Sequence, residues 1–304
     1  MPITVLVPDD HGMSALSELD GVTAVRFEVG QPLPDGAELA EVLVPGFQAG
    51  SRALSYVPQL PKLRLVQLLS AGAESWVGQL PDGIMLANCR GAHGGSTAEW
   101  VMTALLTIYR EMREFDQAQR EGRWDFHKTD SLQGKRVLVI GAGDLGNQLR
   151  RRLEAFDAHV TTVGTTARDG VRGIDEVPGL LGAHDAVVLM VPVTPKTVGM
   201  VDAKFLSLML DGAVLVNAAR GSVVVTDDLL AELRQGRLRA ALDVTDPEPL
   251  PSDHPLWTAP GLLLTPHIAG TCTGNIERAY AVAASQIVMF AAGEKPSNLV
   301  RGEY

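Results

Sequence analysis

A chain of 304 residues is longer than one hydrophobic core usually serves, so its length points to two domains. Hydrophobic residues make up 46% of it and charged residues 20%, a balance that excludes a disordered chain. The formal net charge of −10 excludes a general nucleic-acid or anionic-membrane surface. Cys89 and Cys272 cannot build a disulfide framework or a four-cysteine zinc site, and they read as small buried hydrophobes in a reducing compartment.

The opening MPITVLVPDD meets Asp9 and Asp10 too soon for a signal peptide. No stretch approaches the roughly 18 apolar residues of a membrane span. The reading is of a soluble, cytoplasmic protein without a metal site. In the first hundred residues strand-sized apolar runs recur at Ile3 to Val7, Thr23 to Phe27, Glu41 to Val44, Leu63 to Leu69 and Ile84 to Asn88. Met13 to Leu19 and Gly50 to Leu60 lie between them as crossover helices, the alternation of an α/β unit with a parallel sheet. One long helix is predicted from about Ser96 to Arg120, with Ser96 and Thr97 as caps, followed by a polar loop.

A second core follows, with strands at Arg136 to Ile140, His159 to Val163, Ala186 to Val191, Ala213 to Val216, Ala240 to Val244 and Leu262 to Thr265. Six strands separated by helices satisfy a doubly wound sheet of the dinucleotide-binding kind. The tail from about Thr273 to Ala292 is helical again and could return to the first domain.

VLVIGAGDLG sets Gly141, Gly143 and Gly146 between the first strand of this core and a helix. Gly141 permits the tight turn, Gly143 lets the backbone approach a pyrophosphate, and Gly146 allows close helix packing. Asp144 and Leu145 open the helix whose free N–H groups face the phosphates. The acid that an NAD site carries about 20 residues later is missing. Gly164, Thr165, Thr166, Ala167 and Arg168 stand at that strand end instead, so Thr165 and Arg168 suit a 2′-phosphate and favour NADP over NAD. Asp169 stands beside Arg168 and could neutralise it.

Reducing a 2-oxo acid needs a cation for the carboxylate and carbonyl, and an acid to protonate the oxygen. Arg220 in VNAARG, Asp243 and Glu248 in ALDVTDPEPLP, and His267 in LTPHIAG each follow a predicted strand, where such folds bind ligands.

With GAGDLG and VPVTPKTVGMV, these blocks resemble the D-isomer-specific 2-hydroxyacid dehydrogenase family over almost the whole chain. The resemblance implies two Rossmann-like α/β domains: a smaller, flavodoxin-like substrate domain of residues 1–98 with 275–304, and an inserted dinucleotide-binding domain of residues 99–274. It implies hydride transfer between NADPH or NADH and a small 2-oxo acid, in the manner of the glyoxylate/hydroxypyruvate reductases. Arg220 would grip the substrate, His267 would act as acid and base, and Glu248 would orient His267. Val191, Pro192, Thr197, Ala218 and Ala219 would line the cofactor, with Asp243 beside the nicotinamide carboxamide. LLSAGAE resembles the family's substrate loop, where Ala71 and Gly72 would offer amides to the carboxylate.

His93, in NCRGAHGG, has no family role and reads as a polar turn residue, and Trp76 and Trp124 read as packing aromatics. The family arrangement further implies cleft closure and a homodimer, with the helix from Ser96 as candidate interface. A corepressor-like cofactor sensor is the alternative from another class, and formate or phosphite oxidation the alternative among enzymes.

Overall fold

The computed structural model describes residues 2–47 and 49–300. The chain divides into two compact units, Met1–His93 with Cys272–Tyr304, and Gly94–Thr271. Among the described residues no helix is long and apolar enough to cross a membrane.

In the first unit β1 (Ile3–Val7), β2 (Val22–Arg26), β3 (Ala40–Leu43), β4 (Leu65–Gln67) and β5 (Met85–Ala87) form one parallel sheet in the order β2-β1-β3-β4-β5. That is the flavodoxin-like order. Alternate residues of β1 face opposite sides, and both are covered. Val5 and Val7 pack with Leu16 and with Ala279, Tyr280, Ala283, Ile287 and Phe290 of the helix Asn275–Ala291, while Leu6 packs with Leu43, Val66, Tyr56 and Trp76. The chain's last helix thus completes the sheet that its first strand begins. Gly50–Gln59 is 3₁₀ rather than α, with Pro58, which lacks an N–H, inside it.

The second unit adds β6 (Arg136–Ile140), β7 (His159–Gly164), β8 (Arg172–Gly173), β9 (Ala186–Leu189), β10 (Val214–Asn217), β11 (Arg239–Leu242) and β12 (Leu262–Leu264). All pair in parallel, in the order β12-β11-β10-β9-β6-β7-β8. This is the doubly wound dinucleotide-binding order, with its switch point between β6 and β9. The sheet has seven strands and not six, because β8 is a two-residue extension of the edge, too short to leave an apolar run.

The single helix expected from Ser96 to Arg120 is two, Gly94–Tyr109 and Met112–Arg120, with Glu111 between them in the left-handed region at φ 50°. No residue there breaks helices. Packing imposes the break: Val101, Leu105 and Tyr109 of the first helix are buried, whereas the second buries only Ala118. The first helix begins two residues before the expected caps, and Thr97 is buried inside it.

Trp76 is core, 2% exposed, but Trp124 does not pack: it is 94% exposed, on the irregular segment after the second helix. Cys89 is buried and donates its thiol hydrogen to the Ala279 carbonyl, while Cys272, against expectation, is exposed with the Arg278 guanidinium 3.1 Å from its sulfur.

Candidate active site

The carboxyl ends of the second unit's parallel strands carry the predicted residues. After β6 the chain turns at Gly141, whose φ of 129° is open to glycine, and where a Cβ would stand 2.3 Å from the Met190 carbonyl oxygen. A Cβ at Gly146 would fall 1.8 Å from the Gly141 carbonyl oxygen, so the helix Asp144–Ala155 can start this close to the strand only with glycine there. At Gly143 a Cβ would meet nothing within 4 Å, which leaves clearance beside the helix N-terminus. An open face, a bare backbone and unsatisfied helix amides fit the pyrophosphate of a dinucleotide. The Asp144 carboxylate, an anion in the helix's first turn, is turned toward Gly94, where a Cβ would come within 2.2 Å of Oδ2. Leu145 packs into the core below, so that only its backbone can serve a ligand.

Arg168 stands at the end of the tight turn Asp169–Gly170, closed by two backbone hydrogen bonds with Val171. Its guanidinium reaches back over Gly164 and donates to the Ala142 carbonyl at 3.3 Å, which brings a cation beside the glycine turn. It forms no ion pair with Asp169 among the described residues. Thr165 is exposed at the same strand end. After β9, the Thr197 hydroxyl donates to the Pro192 carbonyl and accepts from the Thr194 amide, closing the turn that begins at Val191. Ala218 and Ala219, after β10, are buried and present backbone, with the Ala219 amide held by Asn217 Oδ1.

Arg220, Glu248 and His267 follow β10, β11 and β12, three neighbouring strands. His267 Nδ1 lies 2.5 Å from Glu248 Oε1, with both side chains nearly half exposed. A carboxylate accepts, so Nδ1 carries the hydrogen, and Nε2 has no partner among the described residues.

The backbone under this pair is heavily constrained. His267 is left-handed at φ 56°, with its amide donating to the Asp243 and Thr265 carbonyls. The Asp243 carboxylate, 2% exposed, accepts from the Thr265 hydroxyl at 2.6 Å and from the Ile268 and Ala269 amides at 2.8 Å each. Asp243 therefore anchors the turn that presents His267, a role the motif gave no sign of.

Glu248 sits on a loop tied at three places: Thr226 donates to the Asp246 carbonyl, Thr245 to that of Pro247, and the Trp257 indole to that of Pro251. The Arg220 segment lies against this loop at Gly221, where a Cβ would meet the Thr245 carbonyl oxygen at 1.9 Å. Arg220 itself is half-buried, with Nη1 donating to the Ala219 carbonyl and Asn217 Nδ2 holding its own carbonyl. The group is therefore a cation and a carboxylate-backed imidazole on fixed backbone, a set able to bind a carboxylate and pass a proton.

In the first unit the loop after β4 carries Ala71 and Gly72. Asn88 Nδ2 donates to the Ala71 carbonyl and Ser70 Oγ to that of Gly72. His93 is no surface turn residue: it is 7% exposed and donates through Nε2 to the Leu69 carbonyl at 2.8 Å.

Residues 102–269 match the family model described as D-isomer specific 2-hydroxyacid dehydrogenase, NAD binding domain. Glyoxylate/hydroxypyruvate reductase A of Serratia proteamaculans is 31% identical over 256 residues, 79% of this chain and 80% of that protein. A D-isomer specific 2-hydroxyacid dehydrogenase from Xanthobacter autotrophicus Py2, solved with NADPH and MES, superimposes with a TM-score of 0.85 at 29% identity, over 99% of this chain and 98% of that one. An NADPH-dependent glyoxylate/hydroxypyruvate reductase from Sinorhizobium meliloti, solved with NADP and sulfate, superimposes with a TM-score of 0.83 at 25% identity, over 98% of each chain.

Proposed function

The chain belongs to the D-isomer specific 2-hydroxyacid dehydrogenases, NAD(P)-dependent oxidoreductases, and from that premise we propose that with NADPH it reduces glyoxylate or hydroxypyruvate to the 2-hydroxy acid, of D configuration where C2 becomes a stereocentre, through Arg220, Glu248 and His267. The observation that carries this reading is the His267–Glu248 hydrogen bond on strand ends adjoining that of Arg220.

Arg220 binds the substrate carboxylate and polarises the carbonyl. Glu248 accepts from Nδ1 and so holds the ring with Nε2 turned out, and the Nε2–H of the imidazolium protonates the carbonyl oxygen. Bound NADPH supplies the hydride that reduces C2. The imidazole then recovers its proton from water, and in the oxidative direction Nε2 takes the hydroxyl proton. Asp243 keeps the His267 turn in place; the cofactor contact that the resemblance gives it would be made by a carboxylate already holding three donors.

Gly141, Gly143, Asp144, Leu145 and Gly146 form the phosphate turn, Thr165 and Arg168 the 2′-phosphate end, and Val191, Pro192, Thr197, Ala218 and Ala219 the remaining cofactor lining. The second unit serves the dinucleotide. The first serves the substrate, whose carboxylate the Ala71 and Gly72 amides receive. Arg168 over the glycine turn, with no acid at the β7 end, supports NADPH over NADH. None of the three relatives named above is a corepressor, and nothing in the site favours that reading.

We assign the enzyme to the cytoplasm, in keeping with two unpaired cysteines, and to a homodimer. Trp124 and Phe126, 94% and 90% exposed and two residues apart on an irregular segment, support its interface. Light scattering tests this: Trp124→Asp with Phe126→Asp is expected to give monomers, and an unchanged mass sinks the interface.

The test of function is absorbance loss at 340 nm with NADPH or NADH and glyoxylate, hydroxypyruvate, pyruvate or phenylpyruvate. Turnover of the first two with NADPH is expected. Turnover of phenylpyruvate alone would move the substrate to bulky acids, and silence with every pair would overturn the reading.

A further inference from the structure

Four consecutive carbonyls in the loop after β4 have fixed donors. Leu69 receives the His93 Nε2–H at 2.8 Å, Ser70 the Cys89 amide at 2.8 Å, Ala71 the Asn88 side-chain amide at 2.9 Å and Gly72 the Ser70 hydroxyl at 2.6 Å. Three of these donors belong to the segment that follows β5, so the carbonyls of Leu69, Ser70 and Ala71 are turned toward it. In a trans peptide the C=O and the following N–H point in opposite directions. The amides of Ser70, Ala71 and Gly72 therefore face away from that segment. Among the described residues nothing accepts from the Ser70 or the Gly72 amide. Successive N–H groups turned to one side make a concavity for an anion.

His93 sets the first of these peptide planes. Its ring is fixed edge to face against Phe47, with centroids 5.2 Å apart. Burial pushes its pKa below the usual imidazole range against the pull of the Leu69 carbonyl, and the nearby Arg278 cation adds to the lowering. Nε2 keeps its hydrogen whether the ring is neutral or charged, so the bond to Leu69 holds across the working pH range.

We propose that His93 is a positioning residue for substrate: by holding the Leu69–Ser70 peptide it aims the Ser70 amide alongside those of Ala71 and Gly72, so that three donors and not two receive the carboxylate of a 2-oxo acid. This rests on the assignment of that loop to the substrate. His93 touches no reacting atom, and its effect falls on substrate affinity.

The test combines amide hydrogen exchange over residues 69–73 with steady-state kinetics for His93→Phe, His93→Asn and His93→Gln. Phenylalanine fills the space without a donor, asparagine is too short to reach Leu69, and glutamine can restore the bond. Loss of the donor is expected to speed exchange in that segment about tenfold and to raise KM for glyoxylate by about the same factor. The kcat and the KM for NADPH stay within about twofold of wild type, and glutamine recovers most of both effects. Folding is checked by exchange in the helix Asn275–Ala291, and asparagine, the smaller disturbance of packing, stands in should phenylalanine disrupt it. A folded donorless variant with wild-type exchange over residues 69–73 overturns the proposal, as does a KM change shared equally with NADPH. Should the wild-type enzyme turn over no 2-oxo acid, the functional assignment falls, while the exchange measurement still decides what His93 holds.

Discussion

The loops after β10, β11 and β12 and the loop after β4 all end parallel strands, yet they are built in opposite ways. In the first set the groups we propose to be reactive are side chains, and the backbone is clamped to hold them up: Asp243 grips the turn of His267, and Thr226, Thr245 and Trp257 tie the loop of Glu248. After β4 the groups we propose to be offered to substrate are backbone amides, and side chains of Asn88, His93 and Ser70 fix the carbonyls behind them. Side-chain chemistry is written in residue identity. Backbone chemistry is written in whatever orients the peptide planes, which lies elsewhere in the chain.

This contrast predicts unequal losses. His267→Ala should lower kcat about a thousandfold, within the usual span for a general acid, with NADPH affinity unchanged by fluorescence titration. Near-normal turnover would remove His267 from the chemistry and erase the distinction. Arg168→Ala deletes a charge-assisted contact and should raise KM for NADPH about tenfold while leaving KM for NADH alone; equal changes would return Arg168 to a mere turn residue.

In the backbone-built loop, Asn88→Ala should raise KM for the 2-oxo acid only about threefold, at constant kcat, because one neutral hydrogen bond behind the Ala71 carbonyl is lost. A fall in kcat with no change in KM would mean that this loop acts on the chemical step. The smallest effect concerns acid. With the folded pKa of His93 lowered, the unfolded chain binds a proton first. Stability on this account is full above the ordinary imidazole range, falls as pH drops below it, and stops falling under the lowered folded value. His93→Gln should melt with a shallower decline of Tm over that window, and parallel curves would show that burial of the ring has no such cost.

The second unit was readable because its signals are local. A glycine turn between strand and helix, an Arg, a Glu and a His each just after an apolar run, and a missing acid after β7 all lie within a few residues of the structure they specify. The β8 strand was too short to register. Nothing in the residues around Glu111 marks the helix break, which comes from the core's hold on Tyr109 and its neighbours alone. His93 and Trp124 are not placed by the sequence for one reason: an isolated ring carries no periodicity, so the side facing solvent is decided by partners distant in sequence. Asp243 reads in the sequence as an acid at a strand end, but its three bonds join it to residues from the next strand's turn, which no spacing reveals.

The sheet begun by β1 is closed by the helix Asn275–Ala291, and this fixes an order of events during synthesis. The second unit is continuous in the chain and is fully synthesised once Thr271 has left the ribosome. Val5, Val7 and Leu16 precede that unit in the chain but wait for Ala279, Ala283 and Ile287, which arrive after the whole of it has been made. Strands made before the second unit are thus covered only after it, and their apolar face stays open to water in the interval.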